Sequence, residues 1–135
     1  MVKLFSVFLV STFLFFVIRS KQDNQDKGLC NDLLGSWTMC KTDYINKKNN
    51  TTSSIVRNVC PNIIFKRSNN GDIKMGDRVI GVFKWKVGNG HLIITTESNA
   101  DSAIPSGQYN ISYKSKEVTL SATKGIFEMV YFLYG

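Results

Sequence analysis

Apolar and polar residues alternate along most of the chain beyond residue 33, in runs separated by short polar turns. In one run Phe83 and Trp85 share a face, and Lys84 and Lys86 lie on the other. A repeat of two residues is typical of a β-strand with one buried face. The alternation and the β-rich composition of these runs predict strands over residues 35–45, 62–67, 72–75, 79–87, 91–98, 109–114, 117–122 and 126–134.

The connections between these runs are rich in turn residues, and helix signals are almost absent after residue 18. Asn70-Gly71 is the strongest hairpin signal, while two longer polar stretches, Asn46 to Ser54 and Asn99 to Gly107, predict loops. Seven or eight strands that follow one another through tight turns predict an all-β domain with an antiparallel up-and-down meander. Such a sheet either closes into a barrel or splits into a sandwich. The other predicted turns are Gly88-Asn89-Gly90, Ser115-Lys116 and Lys124-Gly125.

The first 20 residues have the pattern of a secretory signal peptide. Lys3 precedes the uncharged run from Leu4 to Ile18, which is shorter than the roughly 20 apolar residues that a spanning helix needs. We predict cleavage after Ser20, a flexible leader over residues 21–32 and one domain over residues 33–135. A lipid anchor on Cys30 is disfavoured because a charged stretch separates that cysteine from the apolar run. The protein is therefore expected to be secreted or periplasmic, with no transmembrane segment in the mature chain.

Export permits disulfides, and the chain has three cysteines. We predict a bridge between Cys40, inside the first strand, and Cys60, just ahead of the second, because it would close the polar loop between them. Cys30 then stays unpaired. Three reduced thiols are the alternative, given the odd count. No metal site is expected, because no two cysteines have a C-x-x-C spacing and the single histidine, His91, lies far along the chain.

The formal charge of +7 is spread over scattered lysines, without a run typical of a nucleic-acid tract. Together with export, this pattern argues against nucleic acid as a partner. Catalytic signatures are also missing from the sequence, because His91 has no nucleophile elbow, zinc-protease motif or pair of carboxylates near it. The sequence therefore predicts a binding protein rather than an enzyme, with no cofactor, and His91 is expected at the surface at a strand end.

The start of the domain carries a family motif. Leu34-Gly35-Ser36-Trp37 opens the first strand, and this Gly-x-Trp pattern resembles the one that opens lipocalins and the small secreted bacterial lipocalin-like domains of the calycin superfamily. The resemblance implies that the meander closes into a small lipocalin-like barrel, in which Trp37 packs across one end and Gly35 leaves space for its ring. It continues through the hairpin from Phe65 to Gly71 and through Trp85, Gly88, Gly90, Leu92, Ile94, Tyr109, Ile111, Val118 and Leu120.

The same resemblance implies a secreted binding protein for a small apolar or amphipathic ligand. The alternative is an interaction or inhibitor module without a ligand cavity, which binds its partner through the loops Asn46 to Ser54 and Asn99 to Gly107. Inward-facing side chains would line a cavity if the barrel were open at one end, and would otherwise form the core. The candidate lining residues are Phe83, Trp85, Ile94, Tyr109, Ile111, Tyr113 and Leu120.

Overall fold

A computed structural model describes residues 24–96 and 103–135 of the chain. The signal peptide predicted over residues 1–20 lies outside the described residues, as does the part of the second predicted loop between residues 97 and 102. No helix in the described ranges is long and apolar enough to cross a membrane. The elements are α1 (residues 24–33), β1 (Gly35–Asn46), β2 (Thr51–Val56), β3 (Asn62–Phe65), β4 (Asn70–Met75), β5 (Arg78–Gly88), β6 (His91–Thr96), β7 (Gly107–Lys114), β8 (Glu117–Lys124) and β9 (Phe127–Tyr134).

The strands form one antiparallel sheet in the order β2-β1-β3-β4-β5-β6-β7-β8-β9, and β1 also pairs with β9. This last pairing closes eight of the strands into a barrel and leaves β2 as an extra strand on one edge of β1. From β3 onwards, each strand pairs with the next one in the sequence. The predicted all-β up-and-down barrel is therefore confirmed, and closure removes the free edges that an open meander would expose.

The two ends of the barrel carry different connections. The start of β1 lies at one end, here called the helix end, together with the β3–β4, β5–β6 and β7–β8 turns. The end of β1 lies at the opposite end, here called the far end, together with the β1–β2, β4–β5 and β8–β9 turns. The connection between β6 and β7 is also at the far end, because the chain alternates in direction from strand to strand.

Side chains on the inner face of the barrel form one apolar core. They occupy alternate positions along the strands, as expected when one face of a sheet is buried. The ring of Phe65 meets two others edge to face, with centroid distances of 5.4 Å to Phe83 and 5.2 Å to Trp85. The buried apolar residues are Leu33, Trp37, Met39, Ile63, Phe65, Ile73, Phe83, Trp85, Leu92, Ile94, Ile104, Tyr109, Val118, Leu120, Tyr131 and Leu133.

Helix α1 occupies residues 24–33, where the sequence predicts a flexible leader up to residue 32. Two contacts hold it against the helix end. The Asp26 carboxylate accepts hydrogen bonds from two backbone N–H groups of the β5–β6 turn, at 2.8 and 3.1 Å. Leu33 is buried, and its carbonyl accepts a hydrogen bond of 2.8 Å from Nε1 of Trp37. A helix this short is marginal in water, so these contacts with the barrel stabilise it.

Gly35 joins α1 to β1 with a φ of +118°, a conformation that L side chains rarely adopt. A Cβ at this position would meet no atom within 4 Å. Backbone conformation, rather than the predicted space for the Trp37 ring, therefore explains the glycine of the Gly-x-Trp motif. The ring of Trp37 itself lies at the helix end, where Tyr113 meets it edge to face at a centroid distance of 6.3 Å.

The sequence predicts a loop over Asn46 to Ser54, but the structure has a hairpin there. The chain turns over residues 47–50, with Asn50 at a φ of 55°, and returns as β2. Every residue of β2 is exposed, and the Ser54 hydroxyl donates a hydrogen bond of 2.6 Å to the Asp43 carboxylate on β1. Because β2 buries no face, its sequence lacks the apolar alternation that reveals the other strands.

Strands β2 and β3 occupy successive parts of one edge of β1. β3 pairs with the first part of β1, from Gly35 to Thr38, and β2 pairs with the last part, from Lys41 to Asn46. The predicted Cys40–Cys60 disulfide is confirmed and lies between the two pairings. It ties the chain between β2 and β3 to β1 at the point where β1 changes partner.

A bulge in β1, opposite β9, lies between Thr38 and Lys41. Such an extra residue shifts the alternation of side chains along the strand. Trp37 faces the core before the bulge, and Thr42 faces it afterwards, with 1% of its surface exposed. The bulge therefore places a hydroxyl inside the barrel, towards the far end.

Candidate ligand-binding site

The seven residues that the sequence proposes as cavity lining fall into three groups. Ile111 is half-buried against the core, and Tyr113 is 46% exposed at the helix end. The other five, Phe83, Trp85, Ile94, Tyr109 and Leu120, are buried. Their role in binding a ligand stays a prediction.

The buried members of this group belong to the apolar core of the barrel. Phe83 and Trp85 both contact the Phe65 ring edge to face, and Nε1 of Trp85 donates a hydrogen bond of 3.0 Å to the Asn70 carbonyl. These side chains fill the space between them.

The inner face of the barrel also carries hydroxyl groups, from Thr42 and from two buried tyrosines. Thr42 on β1 is directly paired with Tyr131 on β9, so their side chains share the inner face. The ring of Tyr131 meets that of Tyr109 at a centroid distance of 5.9 Å. The Tyr109 hydroxyl donates to the Pro105 carbonyl, whereas the Tyr131 hydroxyl donates over 3.8 Å to the sulfur of Met129, which is a weak acceptor.

Both phenols stay protonated over the physiological range. Burial, followed by the nearby Tyr131, raises the pKa of Tyr109 well above its usual range. Burial and then the neighbouring Tyr44 raise the pKa of Tyr131 to about 12, and the Arg57 guanidinium acts in the opposite direction. Tyr131 therefore provides an O–H donor close to a cation.

Arg57 reaches this region from the segment between β2 and β3. Its backbone N–H donates to the carbonyl of Cys40, at 2.8 Å, beside the disulfide. Among the described residues, neither Nη1 of Arg57 nor Oγ1 of Thr42 has a hydrogen-bond partner, although both atoms are buried. Unpaired buried polar atoms are uncommon in proteins, and they call for an explanation.

Apolar side chains around these groups remain accessible at the far end. Ile55 on β2 is directly paired with Thr42 and so shares its face of the sheet, yet it is 46% exposed. Phe127 starts β9 on the same face as Met129 and Tyr131, and it is 45% exposed. The inner face of the barrel thus keeps accessible apolar side chains at this end, beside the β6–β7 connection whose Ile104 is buried in the core, whereas α1 covers the other end.

A second concave surface lies on the outside of the barrel. It is an open groove of about 510 Å³ between the β3–β4 turn and the outer faces of β5 and β6. Most of its lining residues are polar, and two of them are lysines. Its lining residues are Ser68, Asn69, Asn70, Lys84, Trp85, Lys86, Ile93 and Thr95.

The described residues contain no group of three or more histidine, cysteine, aspartate or glutamate side chains that could hold a metal ion. His91 begins β6 and is half-buried, with its Nδ1 atom buried and unpaired within the described ranges. Cys30 is a free thiol on α1, half-buried against the core.

No protein-family model, curated protein or solved structure matches this chain. The likeness to lipocalin-like domains thus stays a prediction from the Gly-x-Trp start and its surroundings.

The sequence does not single out Arg57 or Thr42. The alternation of residues in β1 does not reveal the bulge, so the sequence does not predict that the Thr42 side chain faces the interior. Arg57, however, lies three residues before Cys60, and the predicted disulfide already brings this segment against β1. That pairing was the one signal that could have placed Arg57 at the barrel wall.

Proposed function

We propose that the protein is an exported binding protein that holds a small amphipathic molecule at the far end of its barrel. The closed antiparallel barrel and the lipocalin-like start support a binding role. The Cys40–Cys60 disulfide supports export, because such bonds persist in oxidising compartments. The candidate site offers shape and hydrogen bonding rather than a nucleophile with its base, which favours binding over catalysis.

The observation that carries the proposal is the contrast between the two ends of the barrel. At the helix end, Leu33 and Trp37 close the interior and are almost fully buried. At the far end, Ile55 and Phe127 belong to the inner face of the sheet but keep nearly half of their surface exposed. Accessible apolar side chains around buried polar atoms are the usual composition of a small-molecule site.

Uptake of N-phenyl-1-naphthylamine, a neutral apolar probe whose fluorescence rises on leaving water, tests this function. We expect saturable binding to the mature protein. Replacing Ile55 and Phe127 together by serine should weaken it on the order of tenfold, because each change removes apolar area from the contact. Val82→Ser is the matched control: Val82 is 41% exposed, pairs with Asp72 and lies on the outer face of the barrel.

Absence of saturable uptake, or equal loss of uptake in Val82→Ser, would contradict a site at the far end. The second candidate function, an interaction module, would then be favoured. The observation in its support is β2, which is exposed throughout and pairs only with β1 among the described strands. An open strand edge of this kind can add a strand from a partner protein.

A further inference from the structure

We infer that the far end of the barrel binds an anionic oxygen headgroup, such as a carboxylate, through Arg57 and Thr42, an inference that rests on the binding function proposed above. The ligand would then be an amphiphile whose charged end lies inside the wall of the barrel, with its apolar part against the accessible side chains of the mouth.

The first argument is the unmet hydrogen bonding of two buried atoms. Thr42 is 1% exposed and its Oγ1 has no partner in the described ranges, and the same holds for the buried Nη1 of Arg57. A buried donor without an acceptor is costly, and the cost is greatest for a charged group. An anionic oxygen within reach of both atoms would satisfy both at once.

The second argument is charge. Arg57 forms no ion pair with any described residue, and the acidic residues of the neighbouring strands face outwards to lysines. Asp43 lies 3.6 Å from Lys41, and Glu128 lies 2.6 Å from Lys47. Within residues 24–96 and 103–135 the guanidinium therefore has no counter-ion, which favours an anion over a neutral or cationic headgroup.

The third argument is the donor set. The planar guanidinium can present two parallel N–H groups to a carboxylate. The Tyr131 hydroxyl, now directed at the weak sulfur acceptor of Met129, can turn to a stronger acceptor at little cost. These groups are all donors at neutral pH, and Tyr131 shares the inner face with Thr42 through direct pairing.

The outer groove does not offer a comparable site for an anionic headgroup. Its two lysines lie on exposed positions of β5, and no buried unpaired polar atom faces it among the described residues. Charge on that surface is solvated, so it offers little selectivity between headgroups.

Calorimetric titration of the mature protein with decanoate and with decan-1-ol, below their aggregation limits, tests the inference. The two molecules share a chain and differ in headgroup charge. We expect decanoate to bind about tenfold or more tightly than the alcohol, the scale of a hydrogen-bonded charge pair. In Arg57→Gln this preference should disappear, mainly through a loss of affinity for decanoate. Thr42→Val, of nearly equal volume, should weaken decanoate alone by severalfold.

Lys86→Gln is the matched control, because it removes one positive charge from the outer groove; it should leave both affinities unchanged. Equal binding of the two molecules by the unaltered protein would overturn the anion site and leave the proposed binding function standing. A preference that survives in Arg57→Gln, or is lost in Lys86→Gln, would overturn the assignment to Arg57. Failure to bind either molecule would remove the proposed function and this inference together.

Discussion

Gly71 shows how one residue can serve a purpose other than the one its sequence context suggests. Asn70-Gly71 is the strongest hairpin signal in the chain, and a hairpin is present, but both residues belong to β4. The positive φ of the turn, 61°, falls on Asn69 instead. A Cβ on Gly71 would overlap the ring of Phe83, so this glycine is required by core packing.

We expect Gly71→Ala to lower the free energy of unfolding by about 1–3 kcal/mol, because the added methyl group forces the buried Phe83 ring to move. Gly88→Ala is the matched control: it is also a strand glycine, but a Cβ there would meet nothing within 4 Å. Urea unfolding of the two variants provides the measurement. Equal free energies of unfolding for the two variants would show that the Phe83 ring can move to another position without cost.

Tyr131 should make stability depend on pH in the alkaline range. Its pKa is raised to about 12 in the folded protein, so the phenol keeps its proton there after the unfolded chain has lost it. The resulting stabilisation is complete below about pH 10, the ordinary pKa of a tyrosine, and is lost as the pH rises towards the folded value. Over that range it amounts to on the order of 2 kcal/mol.

Unfolding by urea between pH 8 and pH 11.5 measures this loss. The decline should be shallower in Tyr131→Phe than in the unaltered protein, and unchanged in Tyr113→Phe, because Tyr113 is 46% exposed. A decline of identical slope in all three proteins would show that other groups, such as the lysines, control alkaline unfolding.

At the scale of elements, β1 determines most of what the sequence leaves open. It pairs with β3, β2 and β9, and it contains the bulge that turns Thr42 inwards. The alternation of apolar and polar residues within β1 indicates neither the bulge nor the change of pairing partner, because both depend on the neighbouring strands. The same holds for α1, whose short polar sequence is stabilised by contacts with a distant turn.

The Cys40–Cys60 disulfide should stabilise this junction. Replacing both cysteines by alanine should lower the free energy of unfolding by about 3 kcal/mol, from the added freedom of the unfolded chain. Hydrogen exchange should rise first at Arg57 and Met39, whose backbone N–H groups are bonded on either side of the bridge. Urea unfolding measures the change in stability, and hydrogen exchange followed by mass spectrometry measures the local opening.

Cys30→Ala is the control for that experiment, because Cys30 is a free thiol on α1. It should leave exchange at the junction unchanged. If Cys30→Ala and the double replacement have the same effect on exchange there, the bridge does not hold β1 to the following segment.

For the molecule as a whole, the sequence predicts the barrel but does not predict Arg57 and Thr42 as candidate ligand contacts. Strands with one buried face show alternating apolar and polar residues, and the turns between them contain glycine and asparagine. The predicted bounds of β5 to β9 are therefore close to the observed ones. Arg57 and Thr42 are different. Their positions follow from how far-apart strands meet, and a lone arginine or threonine carries no pattern of its own.

Closure of the barrel through β1 and β9 has a consequence for how the chain reaches its fold. The pairing joins β1, the first of the described strands in the sequence, to β9, the last, so one edge of β1 stays unpaired until β9 has formed. Contacts this distant in sequence form slowly, and open strand edges meanwhile invite pairing with other chains. Aggregation is therefore most favoured before β9 pairs with β1, and any change that slows this pairing lengthens that period.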